Sequence, residues 1–215
     1  MARTLRISAL QLAACDRSAF ALGREHILTL TDRAAASCDL LVLPESTFPG
    51  YVLGDSNVDD AEVTSALEAL QRIARDRACT IVAGIALRKN GTLFNSAVAI
   101  DPDGSIAGTA DKAFLWHFDR KWFSPASELA PVRTRAGTLG LLICADGRMP
   151  GIARELVDRG AELLAMPTAW VTSGRDASAL ENVQADLLGR VRAFENNVSF
   201  VAANKCGVER GMVAY

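Results

Sequence analysis

The chain has 215 residues, half of them hydrophobic and 22% charged, with a formal net charge of −2. That length supports one domain spanning residues 1–215 with a substantial core. The near-neutral balance and the lack of any long apolar run argue against a nucleic-acid surface, a charged tail or a membrane-spanning helix. Five cysteines (15, 38, 79, 144 and 206) without C-x-x-C spacing argue against a disulfide framework and a structural zinc site, and two isolated histidines, His26 and His117, predict no metal centre.

Leu5 to Leu12 reads as a first strand, entered without the apolar core of a signal peptide, which predicts a cytoplasmic protein. A helix follows from about Ser18, its cap candidate, to Ala36. Asp39-Leu-Leu-Val-Leu-Pro44 is a buried strand broken by proline, and Glu45 stands at its end before a loop rich in breakers, Ser-Thr-Phe-Pro-Gly-Tyr51. Residues 59–77 place Val63, Ala66, Leu67, Leu70, Ile73 and Ala74 on one helical stripe. Strands over 80–87, 93–100 and 105–108, joined at Asn90-Gly91 and Asp103-Gly104, form an antiparallel meander, because Asn-Gly and Asp-Gly between apolar runs are hairpin signals. An aromatic-rich loop from Lys112 to Pro125 comes next.

Leu139 to Ile143 reads as a buried strand that stops abruptly at Cys144. Ala-Asp-Gly-Arg-Met-Pro-Gly follows, and then a helix from about Ile152 to Val157. A cysteine between strand and helix lies near free backbone N–H groups, which favour a thiolate and can bind an oxyanion. The same residue also fits a small buried hydrophobe ending a strand. A strand over 162–166, the loop Pro167-Thr-Ala-Trp170, a helix over 178–196 and a strand over 198–204 complete the reading. Residues 211–215 look like the start of another strand. The pattern is mixed α/β, and three strands end in chemistry-bearing residues: Glu45, Cys144 and the stretch to Trp170. Spacing does not show that Glu45, Lys112 and Cys144 meet.

The ordered set Leu-Pro-Glu45, Gly50-Tyr51, Lys112 and Ile-Cys144-Ala-Asp146-Gly-Arg148-Met-Pro150 resembles the nitrilase superfamily of carbon–nitrogen hydrolases. Phe94-Asn-Ser-Ala97, Pro167-Thr-Ala-Trp170 and Arg192-Ala-Phe-Glu-Asn196 support it, so the resemblance runs from Arg6 to the last residue. It implies a four-layer α-β-β-α sandwich whose subunits pair through the helix after Cys144 and the helix ending near Asn196, giving a homodimer or a higher assembly. It also implies Cys144 as nucleophile, Glu45 as general base, and Lys112 with the Ala145 backbone N–H as oxyanion donors, with no cofactor. The expected reaction is hydrolysis of a linear amide or N-carbamoyl compound with release of ammonia. Nitrile hydrolysis, or a silent scaffold of the same fold, are the alternatives. The absence of a G-x-G-x-x-G after a strand argues against a nucleotide-binding module.

The chain departs from the family pattern at Asp119, the nearest match to a second glutamate and one methylene shorter, and it stops where family members usually continue through further strands. Tyr51, Trp116 and Trp170 are candidates to line a substrate pocket, Trp170 most of all because it follows a strand end. Asp146 and Arg148 are expected to form an ion pair that shapes the turn, and His117 to lie in a loop or at the pocket rim.

Overall fold

The computed structural model describes residues 4–16, 20–51, 58–172, 184–209 and 213–214. The expected cap at Ser18 and the expected helix start at 178–183 lie outside these residues. Two sheets stand between two helix layers, and the alternation of side chains along the first sheet explains why.

That sheet has the order β1 (Ile7–Ala9), β3 (Leu40–Val42), β4 (Thr80–Lys89), β5 (Thr92–Ile100), β6 (Ile106–Asp111). The first three strands run parallel and the last two complete an antiparallel meander. Successive strand residues point to opposite faces. Leu41, Ile81, Ala83, Ile85, Val98 and Ile100 therefore face one cluster, with Val63, Ala66, Leu70 and Ala74 of helix α2 (Asp60–Arg77). Leu40, Val42, Val82, Ala97 and Ala99 face the other way, onto Leu139, Leu141, Leu163 and Ala165 of the second sheet. A sheet apolar on both faces must be covered on both faces. Helix α1 (Phe20–Ala35) lies beside α2, tied to it by the two-pronged Arg77–Asp32 pair at 2.6–2.8 Å.

Helix α2 carries its own start and stop signals. Asp59 accepts from the Ala61 N–H at 2.9 Å, Asp60 and Glu62 sit in the first turn, Arg75 and Arg77 in the last, and Ala78 turns left-handed at φ 51°. Acids at the N-terminus and bases at the C-terminus complement the helix dipole. In the meander, Asn90 (φ 50°) and Gly91 (φ 81°) form the two-residue turn between β4 and β5 that the dipeptide predicts.

The second sheet has the order β10 (Ser199–Ala203), β9 (Leu163–Pro167), β8 (Gly137–Leu141), β7 (Val132–Thr134); β8, β9 and β10 are parallel and β7 is antiparallel to β8. Helix α3 (Pro150–Asp158) packs on β8 and α4 (Gly189–Asn196) on β10. Two short ladders complete the fold: β2 (Leu12–Ala13) with β11 (Lys205–Cys206) joins residues near the two ends of the chain, and β12 (Val208–Glu209) pairs antiparallel with β13 (Val213–Ala214).

The continuous strand expected over Leu5–Leu12 is instead β1 and β2, because β1 pairs with β3 while β2 leaves that sheet to pair with β11. The turn residues after Cys144 form a 3-10 turn, Cys144–Arg148, and the helix expected from about Ile152 begins at Pro150 as α3. Proline suits that first position because it lacks an N–H that would have no partner there. The described part of the expected 178–196 helix is π-helical over Gln184–Leu188 and α-helical from Gly189.

One close approach fixes the loop after β3. A Cβ on Gly84 of β4 would lie 2.4 Å from the Pro44 carbonyl oxygen and 2.6 Å from both Glu45 Cα and Ser46 N, all backbone atoms. Only a glycine lets the Pro44–Ser46 segment cross there. Gly84→Ala is expected to lower the free energy of unfolding by about 1–3 kcal/mol. Gly151→Ala in α3, where no atom lies within 4 Å, should leave stability equal or slightly raised. Denaturant titration checks the pair; a Gly84→Ala chain as stable as wild type would contradict the crossing argument.

Candidate functional site

Strands β3, β6, β8 and β9 all end on one side of the sandwich, and their next few residues bring the chemistry together. Glu45 follows β3, Lys112 follows β6, Cys144 follows β8, and Thr168 follows β9. The Glu45 N–H donates to the Thr168 carbonyl at 3.2 Å, and the Lys112 N–H to the Asn95 carbonyl at 2.8 Å. The first of these bonds links the two sheets. The second fixes the lysine backbone to β5.

The Lys112 ammonium is fully buried between two fully buried carboxylates. Its Nζ donates to Glu45 Oε1 and to Asp119 Oδ2, both at 2.6 Å. Burial works to lower the Lys112 pKa, but the charges of Glu45, Cys144 and Asp119 outweigh it and hold the amine above its ordinary value. Glu45 Oε1 also accepts from Asn95 Nδ2 at 2.7 Å, whereas Glu45 Oε2, equally buried, has no hydrogen-bond partner among the described residues. Asp119 is the acid that sequence reading placed fourth. Its Oδ1 accepts from the Tyr51 hydroxyl at 3.0 Å, and its Oδ2 accepts from the Trp116 N–H at 3.0 Å as well as from Lys112.

Cys144 opens its 3-10 turn with φ 46°, a left-handed conformation that costs a non-glycine residue of the order of 1 kcal/mol. Asp146 offsets that cost. One of its oxygens accepts from the Ile143 N–H at 3.0 Å, and the other from Ala113 at 3.1 Å and Phe114 at 2.7 Å. The cysteine turn is thereby clamped to the lysine loop. Burial pushes the Asp146 carboxyl up to about 6, while the three N–H donors and Lys112 pull the other way. The 3-10 turn His117–Lys121 repeats the device: His117 has φ 45°, and Asp119, its third residue, reaches back to the Trp116 N–H.

The Cys144 thiol is pushed up to about 12, by burial first and then by the Glu45 charge; Lys112, the Thr168 hydroxyl and the Ala169 amide oppose the rise. The Thr168 oxygen has no hydrogen bond of ordinary geometry, so its effect is one of proximity. The resting group at neutral pH is thus a thiol, whereas the strand-to-helix position by itself favours a thiolate. Burial, which the sequence pattern does not price, reverses that preference.

The aromatic candidates divide. Tyr51 is buried in the cluster through its hydroxyl, whose pKa burial and the charges of Glu45 and Asp119 raise. Trp116 is half-buried, stacked at 5.3 Å under the Arg148 guanidinium and tilted at 5.3 Å against His117, which is exposed at the start of its 3-10 turn. Trp170 is buried in the cluster between the sheets and lines a cleft of about 500 Å³ with Gln11, Arg190 and Phe200; Glu45, Lys112 and Cys144 do not line that cleft. The expected Asp146–Arg148 ion pair does not form. The Asp146 oxygens are taken by backbone donors, and Arg148 Nε donates to Gln184 Oε1 at 2.7 Å.

Sequence reasoning gave no role to Asn95, Thr168, Lys205 or Glu209. Asn95 had a legible signal, a polar residue on the same face of β5 as Ala97 and Ala99. Lys205 and Glu209 form a buried pair at 3.1 Å, and Glu209 accepts from the Tyr51 N–H at 2.9 Å. No spacing predicts that contact.

A family model described as carbon-nitrogen hydrolase matches residues 6–215. The chain is 35% identical over 163 residues to an (R)-stereoselective amidase from Pseudomonas sp., covering 74% of this chain and 58% of that protein. It is 30% identical over 179 residues to the 2-oxoglutaramate amidase of Bacillus subtilis, covering 81% and 66%. Among solved structures, a mutant of the amidase from Nesterenkonia sp. AN1 superposes with TM-score 0.83 at 30% identity, covering 99% of this chain and 82% of that one. That structure shows the result of Michael addition of acrylamide at its active-site cysteine. The chain thus spans about six-tenths of the length of such curated relatives.

The two charges beside Cys144 should move its ionisation in opposite directions. Glu45→Gln is expected to lower the midpoint of Cys144 thiolate formation, because a negative neighbour is removed, and Lys112→Met to raise it. Ultraviolet titration of the thiolate, with Cys144→Ala as the blank, reads both. Equal midpoints in all three proteins would contradict the coupling.

Proposed function

The chain belongs to the carbon–nitrogen hydrolase family, and we propose that it hydrolyses a small linear amide or N-carbamoyl compound through a thioester on Cys144. The observation that carries this reading is the division of labour at Glu45. One carboxylate oxygen is occupied by Asn95 and Lys112, the other is buried with no hydrogen-bond partner among the described residues, and the charge of Glu45 acts on the Cys144 thiol.

In this reading Cys144 Sγ attacks the carbonyl carbon as its proton passes to Glu45, so no free thiolate has to accumulate. The carbonyl oxygen becomes an oxyanion, which Lys112 and the Ala145 N–H stabilise; each such donor is worth about 3–4 kcal/mol in the transition state. Glu45 then delivers the proton to the nitrogen, the C–N bond breaks, and ammonia leaves a Cys144 thioester. Water, losing its proton to Glu45, attacks the thioester carbonyl, and the carboxylic acid and the thiol are released. For an N-carbamoyl substrate, the acid formed loses carbon dioxide. Asp119 holds Lys112 on the side away from Glu45, and Tyr51 holds Asp119. A nitrile, attacked at carbon in the same way, is the second substrate class to test.

We further propose that subunits pair through the outer face of the second sheet's helices. Leu187, Val191 and Phe194 lie there at helical spacing, and Phe194 is 91% exposed. All five cysteines are free, which fits a reducing compartment such as the cytoplasm, and no helix among the described residues is long and apolar enough to cross a membrane.

Ammonia release from a panel of short amides, ω-amides, N-carbamoyl amino acids and nitriles tests the activity. Cys144→Ala should lower kcat/KM by about four orders of magnitude or more, and Lys112→Met by about two to three. Undiminished release from folded Cys144→Ala would end the proposal. For the subunit contact, sedimentation of Phe194→Asp should give a monomer where wild type gives a dimer; a wild-type monomer would remove that part.

A further inference from the structure

Lys205 and Glu209 are side chains of buried residues, both 5% exposed or less, in the short ladders at the edge of the site, and their ion pair measures 3.1 Å. Gly207, at φ 83°, makes the turn between them. A buried ion pair is poor evidence of stabilisation, because removing two charges from water costs several kcal/mol per ion and an apolar pair of similar volume often does as well. The second oxygen of Glu209 gives this pair a specific use. It accepts from the Tyr51 backbone N–H at 2.9 Å. Gly50, at φ 134°, sets the direction of that N–H from a backbone conformation that L side chains rarely adopt.

From Tyr51 the contacts run inward without a gap. Its hydroxyl donates to Asp119 Oδ1 at 3.0 Å, and Asp119 Oδ2 accepts from Lys112 Nζ at 2.6 Å. The Tyr51 ring has Lys205 Nζ at 5.7 Å and Lys112 Nζ at 5.9 Å from its centroid, so both ammonium groups also act on its π system. Lys112 is therefore held by a second row of charges that never touch the reacting atoms.

We infer that Lys205 and Glu209 are positioning residues, which fix Tyr51 so that its hydroxyl keeps Asp119 aimed at Lys112. The inference rests on the proposed role of Lys112 at the oxyanion. Without the Tyr51 hydroxyl, Asp119 is held at Oδ2 alone, by the Trp116 N–H and Lys112, and is freer to turn about that oxygen. A displacement of that kind acts on the transition state more than on substrate binding, since small misplacements of a catalytic group cost rate steeply.

The test is a double-mutant cycle on turnover, because a claim of coupling through intermediate residues needs a measured coupling. Glu209→Gln, Tyr51→Phe and the double variant are compared with wild type on the best amide of the panel, with kcat, KM and thermal midpoint recorded for each. Each single change is expected to lower kcat by about ten- to a hundredfold, the size of one hydrogen bond involving a charged group, with KM within about twofold. The double variant should be no worse than the poorer single one.

Additive losses in kcat, or a folded Glu209→Gln chain with wild-type kcat, would overturn the inference. If Glu209→Gln does not fold, Lys205→Met/Glu209→Gln removes both charges together and enters the same cycle. Should that chain also fail to fold, the pair is a folding element and the inference falls. The proposed function fails separately, when Cys144→Ala or Lys112→Met turns over like wild type. A folded wild-type chain that releases no ammonia would sink both.

Discussion

An ammonium group enclosed by two carboxylates, all three out of water, is the constraint from which the rest of this site follows. An isolated buried charge is expensive, and a buried pair that loses one member is destabilised by about 3–5 kcal/mol. Lys112 can keep its charge only because Glu45 and Asp119 each come within 2.6 Å, and each of those acids has further donors. Every element that brings a donor to the cluster is fixed by that demand. The strands β3 and β6 supply the acid and the lysine, β5 supplies Asn95, and the 3-10 turn after Lys112 returns Asp119 to the ammonium seven residues later. The enclosure also acts on Cys144, whose proton is held tightly by burial first and by the Glu45 charge second, with Lys112 opposing both.

That last point gives the proposed chemistry its character. A thiol pushed up to about 12 is a weak nucleophile until its proton leaves. The group able to take the proton is the same one whose charge adds to the suppression by burial, and when Glu45 becomes neutral on accepting it, that electrostatic share disappears. Proton transfer and attack are thereby linked within one step. Lys112 then faces a neutral Glu45 and a developing oxyanion, so its electrostatic interactions are strongest where the reaction needs them. The strained turn at Cys144 serves the same end by placing the sulfur beyond the strand end, while Asp146 ties that turn to the backbone following Lys112.

Much of this was legible in the sequence because it is local. The apolar runs ending at Pro44 and at Cys144, the Asn90-Gly91 turn and the capped stripe of α2 are short-range patterns, and the structure contains the corresponding elements. Glu45, Lys112 and Cys144 were named from an ordered set of motifs, and the structure brings the first two into direct contact beside the third. What was not legible is long-range or depends on burial. The split of Leu5–Leu12 into β1 and β2 depends on a partner nearly two hundred residues away. Glu209 meets Tyr51 across 158 residues. Asp146 and Arg148 are two apart, a spacing that allows an ion pair in a loop, but three backbone N–H groups compete for the carboxylate and win. The packing of Trp170 into the cluster between the sheets that also holds Cys144, and the cleft it lines on the β10 side, depend on contacts no spacing shows.

The most direct measurement of the account is the mass of the protein quenched in acid during turnover of an amide that it hydrolyses. The account predicts a covalent increment equal to the acyl group, carried by the peptide containing Cys144 and absent from Cys144→Ala. Hydroxylamine should discharge it, as expected for a thioester. Ammonia release with no increment under conditions where hydrolysis of the intermediate is slow, or an increment on any other residue, would contradict the nucleophile and with it the arrangement of charges proposed around it.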